Sequence, residues 1–323
     1  MSVRQFADGC DVAQALLVRD LELRTRRDGV QYLKLMVGDR TGSVPAIVWD
    51  EVLTALELCG LGEIVHLSGR YCVHPRFGPQ LVVASVRAAA PDEYRRDDLV
   101  DGPVRAAEQL EADLRQLLAT VQNPHLRRLL GVVFGEGSPT WHHYRDAPAA
   151  KHYHQAYRHG LLEHCLTVAQ AVGAISATFP GIDRDVAVTG ALLHDIGKLE
   201  AYTTNGAAIS MSDDGRLQGE IALGYYRIRR AIEGLDGFPG DLEQAVLHII
   251  LSHHGLLEHG SPVVPCTREA TLVHMIDNLG GRLGSFDRLE KQLTAGEPWS
   301  AYDKALGGGA YFGERAEEQR EAA

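Results

Sequence analysis

The chain changes its hydrophobic rhythm once, near residue 90, and that change limits the folds open to it. Before it, apolar residues come in short or alternating runs, at 15–18 with 21–25, then 32–37, 44–49, 64–71 and 80–86. A period near two is the strand period. Asp28-Gly29 and Gly38-Asp39-Arg40-Thr41-Gly42 break the runs with residues that favour turns. Five strands, with one helix around 51–58 between the third and fourth, suit a small partly closed barrel better than a sandwich. Residues 91–105 are polar, charged and punctuated by Pro and Gly, and read as a linker. Beyond it Leu110, Leu114, Leu117, Leu118 and Val121 recur at helical spacing; past Asn123-Pro124, Leu126, Leu129, Leu130 and Val133 resume it. These are amphipathic helices. Trp141-His142-His143-Tyr144 reads as a loop with exposed histidines, and from Ala147 the pattern is mostly helical. The expectation is a multidomain chain: an all-β barrel over 1–90, the linker 91–105, an all-α helical bundle over 106–312, and an acidic tail 313–323 that frays from a helix.

The 323 residues are enough for two separate cores. No apolar run approaches the roughly 20 residues of a membrane helix, and the first ten residues, MSVRQFADGC, lack the apolar segment of a signal peptide. A cytoplasmic location without a membrane partner is expected. The five cysteines are odd in number, far apart and never spaced CxxC, so neither a disulfide framework nor a zinc knuckle is indicated and reduced, mostly core thiols are expected. The net charge of −11 argues against holding nucleic acid by bulk electrostatics. Yet residues 1–90 carry ten Lys and Arg against ten Asp and Glu, so all the excess acid lies beyond them. A neutral barrel can touch phosphates locally, whereas an acidic helical domain needs cations to draw a phosphate in.

The helical half supplies those cations' ligands. Gly190-Ala191-Leu192-Leu193-His194-Asp195-Ile196-Gly197-Lys198 puts a His-Asp pair at the end of a buried helix, with Gly197 expected as a C-cap and Lys198 following. Alone, such a dipeptide is an ordinary helix end. Upstream, Gly160-Leu161-Leu162-Glu163-His164 embeds a single His in apolar surroundings. Downstream, Leu251-Ser252-His253-His254-Gly255 ends another apolar helix, and Asp277 sits inside a third, where an unpaired carboxylate is costly. Imidazole nitrogens and carboxylate oxygens together suit Mn, Fe, Zn or Mg ions, and an Asp beside a His can bridge two of them.

Two resemblances follow from these residues. The turn Gly38-Asp39-Arg40-Thr41-Gly42-Ser43-Val44 leading to Val48-Trp49, with Gly62-Glu63-Ile64-Val65, Gly69-Arg70-Tyr71 and Gln80-Leu81-Val82-Val83, resembles the nucleic-acid-binding OB-fold of the tRNA anticodon type. OB barrels stack bases on aromatics and track the backbone with cations. Tyr32, Trp49, Tyr71 and Phe77 are candidate platforms, with Lys34, Arg70 and Arg76 as phosphate contacts; each aromatic has a barrel-core or barrel-end role as its alternative. The order His164, His194-Asp195, His253 or His254, Asp277 resembles the HD-domain metal-dependent phosphohydrolases, which implies a helical bundle with metal in its core.

A narrower likeness spans nearly the whole chain. Ala147-Pro148-Ala149-Ala150-Lys151-His152-Tyr153-His154-Gln155-Ala156-Tyr157, Gly160 to His164, Leu251 to Gly255, and Glu258-His259-Gly260-Ser261-Pro262-Val263-Val264-Pro265 with Glu269-Ala270 and Asp277-Asn278 resemble the YhaM type of 3′→5′ exoribonuclease. That type joins an OB domain to an HD domain in this order. The resemblance implies hydrolysis of single-stranded RNA, or of DNA, from the 3′ end with a divalent metal, Mn²⁺ first and Mg²⁺, Fe²⁺, Zn²⁺ or Co²⁺ as other fits, one or two ions, with the barrel feeding the strand; it leaves a homo-oligomer open. It also implies Asp195 as the bridging ligand and Lys198 and His154 as phosphate contacts, although a cation complementing a helix dipole is the other role for Lys198. The sequence departs from the pattern twice. In Leu217-Gln218-Gly219-Glu220-Ile221, Glu220 stands where the family has His, which hardens that metal position or weakens a second site. His159 stands where the family has Gly. Two alternatives remain: an HD phosphohydrolase of nucleotides or cyclic signalling nucleotides, and an OB-led single-strand binder whose HD site has decayed.

Overall fold

The computed structural model describes residues 1–26, 28–75, 77–100, 102–103, 105–151, 155–205, 208–293, 297–304 and 306–313. Arg76, His154 and the tail beyond 313 lie outside the described residues. The chain divides into two compact units, one holding residues up to Gly102 together with 204–208 and the chain from Arg288, the other 103–203 and 209–287.

In the first unit, β1 (Asp11–Thr25), β2 (Gln31–Asp39), β3 (Gly42–Val48), α1 (Val52–Leu58), β4 (Ile64–His74) and β5 (Gly78–Ala88) form a closed barrel in the order β1-β2-β3-β5-β4. All pairings are antiparallel except β3 with β5. The two apolar runs 15–18 and 21–25 are one strand, irregular between Val18 and Asp20. Alternation sets the faces: Leu33, Leu35 and Val37 are buried in the barrel core with Leu16, Leu67 and Leu81, which leaves Tyr32 and Lys34 on the outer face. The turn between β2 and β3 is fixed by Asp39. Its Oδ1 accepts from the Thr41 amide at 2.7 Å and the Thr41 hydroxyl at 2.6 Å, and its Oδ2 accepts from the Val3 amide at 2.7 Å. Five strands, one helix before β4 and closure through a parallel β3–β5 pair constitute the OB topology.

Most of the expected linker packs on this barrel. Within 91–102, α2 (Arg96–Leu99) buries Leu99 with Ala15 and Leu17, and the Arg40 amide donates to the Asp98 carbonyl at 2.9 Å. Polar composition concealed a single apolar anchor.

The second unit is helical: α3 (Ala107–Thr120), α4 (Pro124–Phe134), α5 (Pro139–Asp146), α6 (Gly160–Ser176), α7 (Arg184–Leu193), α8 (Lys198–Ala201), α9 (Asp213–Gln218), α10 (Glu220–Glu233), α11 (Gly240–Ser252) and most of α12 (Arg268–Gln292). In sequence between α8 and α9, a two-stranded sheet of β6 (Tyr202–Asn205) with β7 (Ala208–Met211), whose residues 204–208 are counted with the first unit, departs from the all-α expectation for 106–312. So does α5. Residues 141–144 are helix rather than loop, because Trp141 and Tyr144 anchor them in the core beside Phe134 while His142 and His143 stay exposed. The centre of the core is α6, α7 and α11, whose Leu161, Leu162, Leu166, Leu192, Leu193, Ile249 and Ile250 are buried. At Gly190 a Cβ would come within 2.3 Å of Ile249 Cδ1, so the glycine lets α7 lie directly on α11. Among the described residues no helix is long and apolar enough to cross a membrane. The cysteines are unpaired; Cys59 and Cys165 are buried, Cys10 and Cys72 half-buried and Cys266 exposed.

Candidate metal centre and barrel face

The helical core ends its apolar helices at one point. His194 is the C-cap of α7 and His253 that of α11, while His164 lies in the first turns of α6 and Asp277 in α12. The Nδ1 of His194 is 2.7 Å from the Ala191 carbonyl, and that of His253 is 2.8 Å from the Ile250 carbonyl. Each ring thus donates to its own helix's last turn and turns Nε2 toward the centre, the arrangement of a metal-ligating imidazole. For His164 a side chain does this work: its Nδ1 lies 3.1 Å from Gln155 Oε1. The Gln155 amide in turn lies 3.5 Å from Glu163, which also accepts from the Tyr157 hydroxyl.

At the centre, His164 Nε2 is 3.2 Å from His194 Nε2, 3.2 Å from Asp195 Oδ2 and 3.1 Å from Asp277 Oδ1. His194 Nε2 is 3.4 Å from Asp195 Oδ2. On the other side of the same carboxylate, Asp195 Oδ1 lies 3.5 Å from His253 Nε2. Both of those atoms are buried and neither has a hydrogen-bond partner. Orphaned polar atoms of this kind need an explanation, and both are electron-pair donors that a cation would satisfy. The donor set fits a divalent cation: imidazole nitrogens and carboxylate oxygens, with the ligand atoms of His164, His194 and Asp277 all within 4.8 Å of one another. Next to this, on the more open side, His254 Nε2 faces Glu220 Oε1 at 3.8 Å.

The electrostatics are those of a compensated cluster. Burial alone would lower the pKa of His164, but the Asp195 and Asp277 carboxylates outweigh it and lift it to about 9. His194 is raised by Asp195 against the same desolvation. Burial opposes charge on Asp195 and Asp277, yet Lys198 and His194 hold the first low, and His164 and His194 the second. Lys198 Nζ sits 2.7 Å from Asp195 Oδ2 and stays charged. His254 is lowered by burial and by His253 beside it, so it is neutral. In the metal-free protein, protons occupy the place of a cation.

The motif around 190–198 differs from expectation in one respect. Gly197 is not a left-handed C-cap; its backbone is right-handed helical at φ −68°. It is needed because α10 crosses there: a Cβ would lie 1.9 Å from the Glu220 carbonyl oxygen and 2.4 Å from the Gly224 nitrogen. His159 does not enter the centre. At φ 70° it begins α6 in the left-handed region where glycine is at ease, and its Nδ1 bonds the Arg145 carbonyl at 2.7 Å. Of the remaining histidines, His248 Nε2 accepts from the Cys266 amide and His274 Nδ1 bonds the His253 carbonyl, a tie between α11 and α12.

Four groups around the centre were given no role by the sequence. Gln155 orients His164. Tyr144 donates to the Leu192 carbonyl at 2.8 Å, behind His194. Cys165 lies with His194 and Asp195. Tyr202, half-buried, is raised by burial and by the nearby Glu220 and Asp195 against the opposing Lys198.

On the barrel, the candidate aromatics separate. Tyr32 and Trp49 stack, with ring centres 4.8 Å apart, and Arg26 lies over the Trp49 ring at 5.6 Å. Trp49 is 39% exposed, and Lys34 shares the outer face of β2 with Tyr32. Phe77 is exposed beside His74 in the β4–β5 turn, and Arg70 is exposed on β4. Tyr71 instead packs edge-on against Phe6 at the barrel core, its hydroxyl pKa raised by burial.

Residues 161–281 match the family described as HD domain. The chain is 29% identical to the 3′-5′ exoribonuclease YhaM of Bacillus subtilis (strain 168) over 90% of both chains. It is 27% identical to the protein of that name from Shouchella clausii (strain KSM-K16) over 91% of both, and 29% identical to that of Bacillus velezensis over 90% of both. With an OB barrel before the HD domain and this likeness running through both, the chain is similar over nine-tenths of its length to the YhaM type of 3′-5′ exoribonuclease.

Proposed function

We propose that the protein is a metal-dependent 3′→5′ exonuclease of single-stranded RNA, with DNA as a second substrate, located in the cytoplasm and assembled as a homo-oligomer. The observation that carries the reading is the pair of orphaned buried atoms, Asp195 Oδ1 and His253 Nε2, at a four-helix convergence that also holds His164, His194 and Asp277.

His164, His194, Asp195 Oδ2 and Asp277 would hold one divalent ion, with Mn²⁺ as the assignment. Asp195 Oδ1 and His253, with Glu220 and His254 on the open side, would hold a second. Bound there, such ions make water nucleophilic near neutral pH and draw charge from phosphoryl oxygens. The chain's own contribution is orientation. Backbone carbonyls fix two imidazoles and Gln155 a third, so no ligand needs to turn on loading. Lys198, which pairs with Asp195, would release that carboxylate to metal and meet a non-bridging phosphate oxygen. We assign His154 a second phosphate contact. On the barrel, Tyr32 and Trp49 offer ring faces to bases, Phe77 a further one, and Lys34, Arg70 and Arg76 meet phosphates. Tyr71 contributes by packing against Phe6 at the barrel core.

The test is degradation by the purified full chain with Mn²⁺, offered 5′-labelled single-stranded RNA and DNA, mononucleotides and cyclic dinucleotides. A ladder shortening from the 3′ end, absent in Asp195→Ala, is expected. Turnover of nucleotides alone selects the phosphohydrolase, and strand binding without turnover selects a decayed HD site.

A further inference from the structure

Cutting a strand from its 3′ end leaves a proton to be supplied. When water adds to phosphorus and the bond to the 3′ oxygen of the preceding nucleotide breaks, the electron pair goes to that oxygen. An alkoxide is a poor leaving group near neutral pH, so a proton delivered as it departs speeds the step. The imidazoles at the centre have none to give. His194 and His253 bond backbone carbonyls through Nδ1, and His164 bonds Gln155 Oε1, so each turns a lone pair rather than a proton to the centre. His254 does the same: its Nδ1 is 2.9 Å from the His259 carbonyl oxygen, and its Nε2 faces Glu220. Lys198 carries protons, but its charge compensates the buried Asp195 at 2.7 Å, and losing it would strand that carboxylate.

Tyr202 stands where that proton is missing. It follows Lys198 by four residues, as the C-cap of α8, so the two side chains leave the same side of that short helix. There the backbone turns extended, at φ −118° and ψ 146°, and starts β6. The neighbouring wall is α10, whose first residue, Glu220, lies against Gly197 at the other end of α8. The phenol is half-buried, in the fields of Lys198, Glu220 and Asp195, and its hydroxyl makes no hydrogen bond to any described residue. Burial holds the proton on the oxygen through the neutral range. A phenol is nevertheless a far stronger acid than a ribose hydroxyl, so it can hand that proton to an oxygen that is becoming an alkoxide.

We propose that Tyr202 is the general acid of strand cleavage, giving its hydroxyl proton to the departing 3′ oxygen. The oxygen of the attacking water bonds phosphorus, and the proton it sheds goes to solvent. The bond from phosphorus to the 3′ oxygen breaks, its electron pair stays on that oxygen, and the phenol proton completes a 3′ hydroxyl on the shortened strand. The phenolate takes a proton back from solvent, and the released product is a nucleoside 5′-monophosphate. The proposal rests on the exonuclease reading and adds a catalytic residue to it.

Two substrates that differ in their leaving group test it, offered with Mn²⁺ to the full wild-type chain and to Tyr202→Phe. Single-stranded RNA must expel an alkoxide; uridine 5′-p-nitrophenyl phosphate expels p-nitrophenolate, which is stable without a proton near neutral pH. Tyr202→Phe should lower kcat on RNA by about 10²-fold or more, with KM and Mn²⁺ stoichiometry kept. The ester rate should fall far less, so that the ratio of RNA to ester turnover drops at least about thirtyfold. That ratio is independent of how much of the variant is folded, because both substrates meet the same active fraction. Equal losses on the two substrates, the result for a phenol that only holds phosphate or supports the fold, overturn the proposal, as does an unchanged rate on RNA. A wild-type chain that binds Mn²⁺ and hydrolyses the ester but shortens no RNA overturns the exonuclease reading, and this assignment with it.

Discussion

Replacing Gly197 by alanine tests the contact that joins the central motif to Glu220. The Ala backbone is unstrained at φ −68°, so any loss must be steric. The new Cβ would stand 1.9 Å from the Glu220 carbonyl oxygen and 2.4 Å from the Gly224 nitrogen, whereas real Cβ contacts essentially never fall below 3.0 Å. Both partners are backbone, so no side chain can rotate away, and α10 must withdraw by more than an ångström. Overpacking of this kind costs about 1–3 kcal/mol, and a backbone-to-backbone clash belongs at the upper end. About 3 kcal/mol in a helical unit of this size lowers the melting temperature by roughly 6–12 °C. Gly131→Ala in α4, where a Cβ would meet nothing within 4 Å, is the control, and should stabilise by about 0.5–1 kcal/mol. Calorimetric melting of both variants in chelator gives the stability term, and Mn²⁺ titration shows whether displacing Glu220 weakens metal binding. If Gly197→Ala melts within a degree or two of wild type and binds metal equally, close approach is not the reason for the glycine and the argument fails.

Three further outcomes are expected. In the metal-free protein the His164 pKa of about 9 exceeds its ordinary 6.5, so its protonation stabilises the fold fully below pH 6.5, and that stability is lost as pH rises through 9; Asp195 and Asp277, held low, stabilise above the usual carboxylate range and lose that in acid. Metal displaces the imidazole protons, so Mn²⁺ affinity should climb between pH 6 and 9; a flat calorimetric titration across that range contradicts the assignment. Gln155→Ala removes the acceptor on His164 Nδ1 and should weaken metal binding about 10- to 100-fold, while Gln155→Glu keeps an acceptor there; equal affinity for all three forms rules out an orienting role. Trp49→Ala should cost about 1–3 kcal/mol of single-strand affinity in fluorescence anisotropy with little change in melting, and unchanged affinity would place the strand elsewhere.

Much of this molecule was legible because its signals are periodic or chemical. The alternation at 32–37 fixes which residues of β2 enter the barrel, and isolated histidines and a carboxylate in otherwise apolar helices have few uses besides a cation. What escaped depends on contacts between distant segments. Leu99 anchors a stretch whose composition reads as linker, because one buried leucine does not alter an average. Trp141 and Tyr144 make a helix of residues that look like a loop, since the burial that stabilises them comes from Phe134. Gln155 stood within a recognisable phrase but acquires its role only when α6 brings His164 beside it. Gly197 read as a helix terminator, the commonest use of that residue, whereas its reason lies twenty-three residues further on, in the backbone of α10.

The capping positions of His194 and His253 have a consequence for charge. Two helices present their carboxyl ends at the same point, and each peptide macrodipole places about half a negative charge at that end. The core therefore supplies roughly one electron's worth of field beyond its carboxylates. That field attracts a dication and repels a bare phosphate, so it imposes an order of events: ion first, nucleotide afterwards.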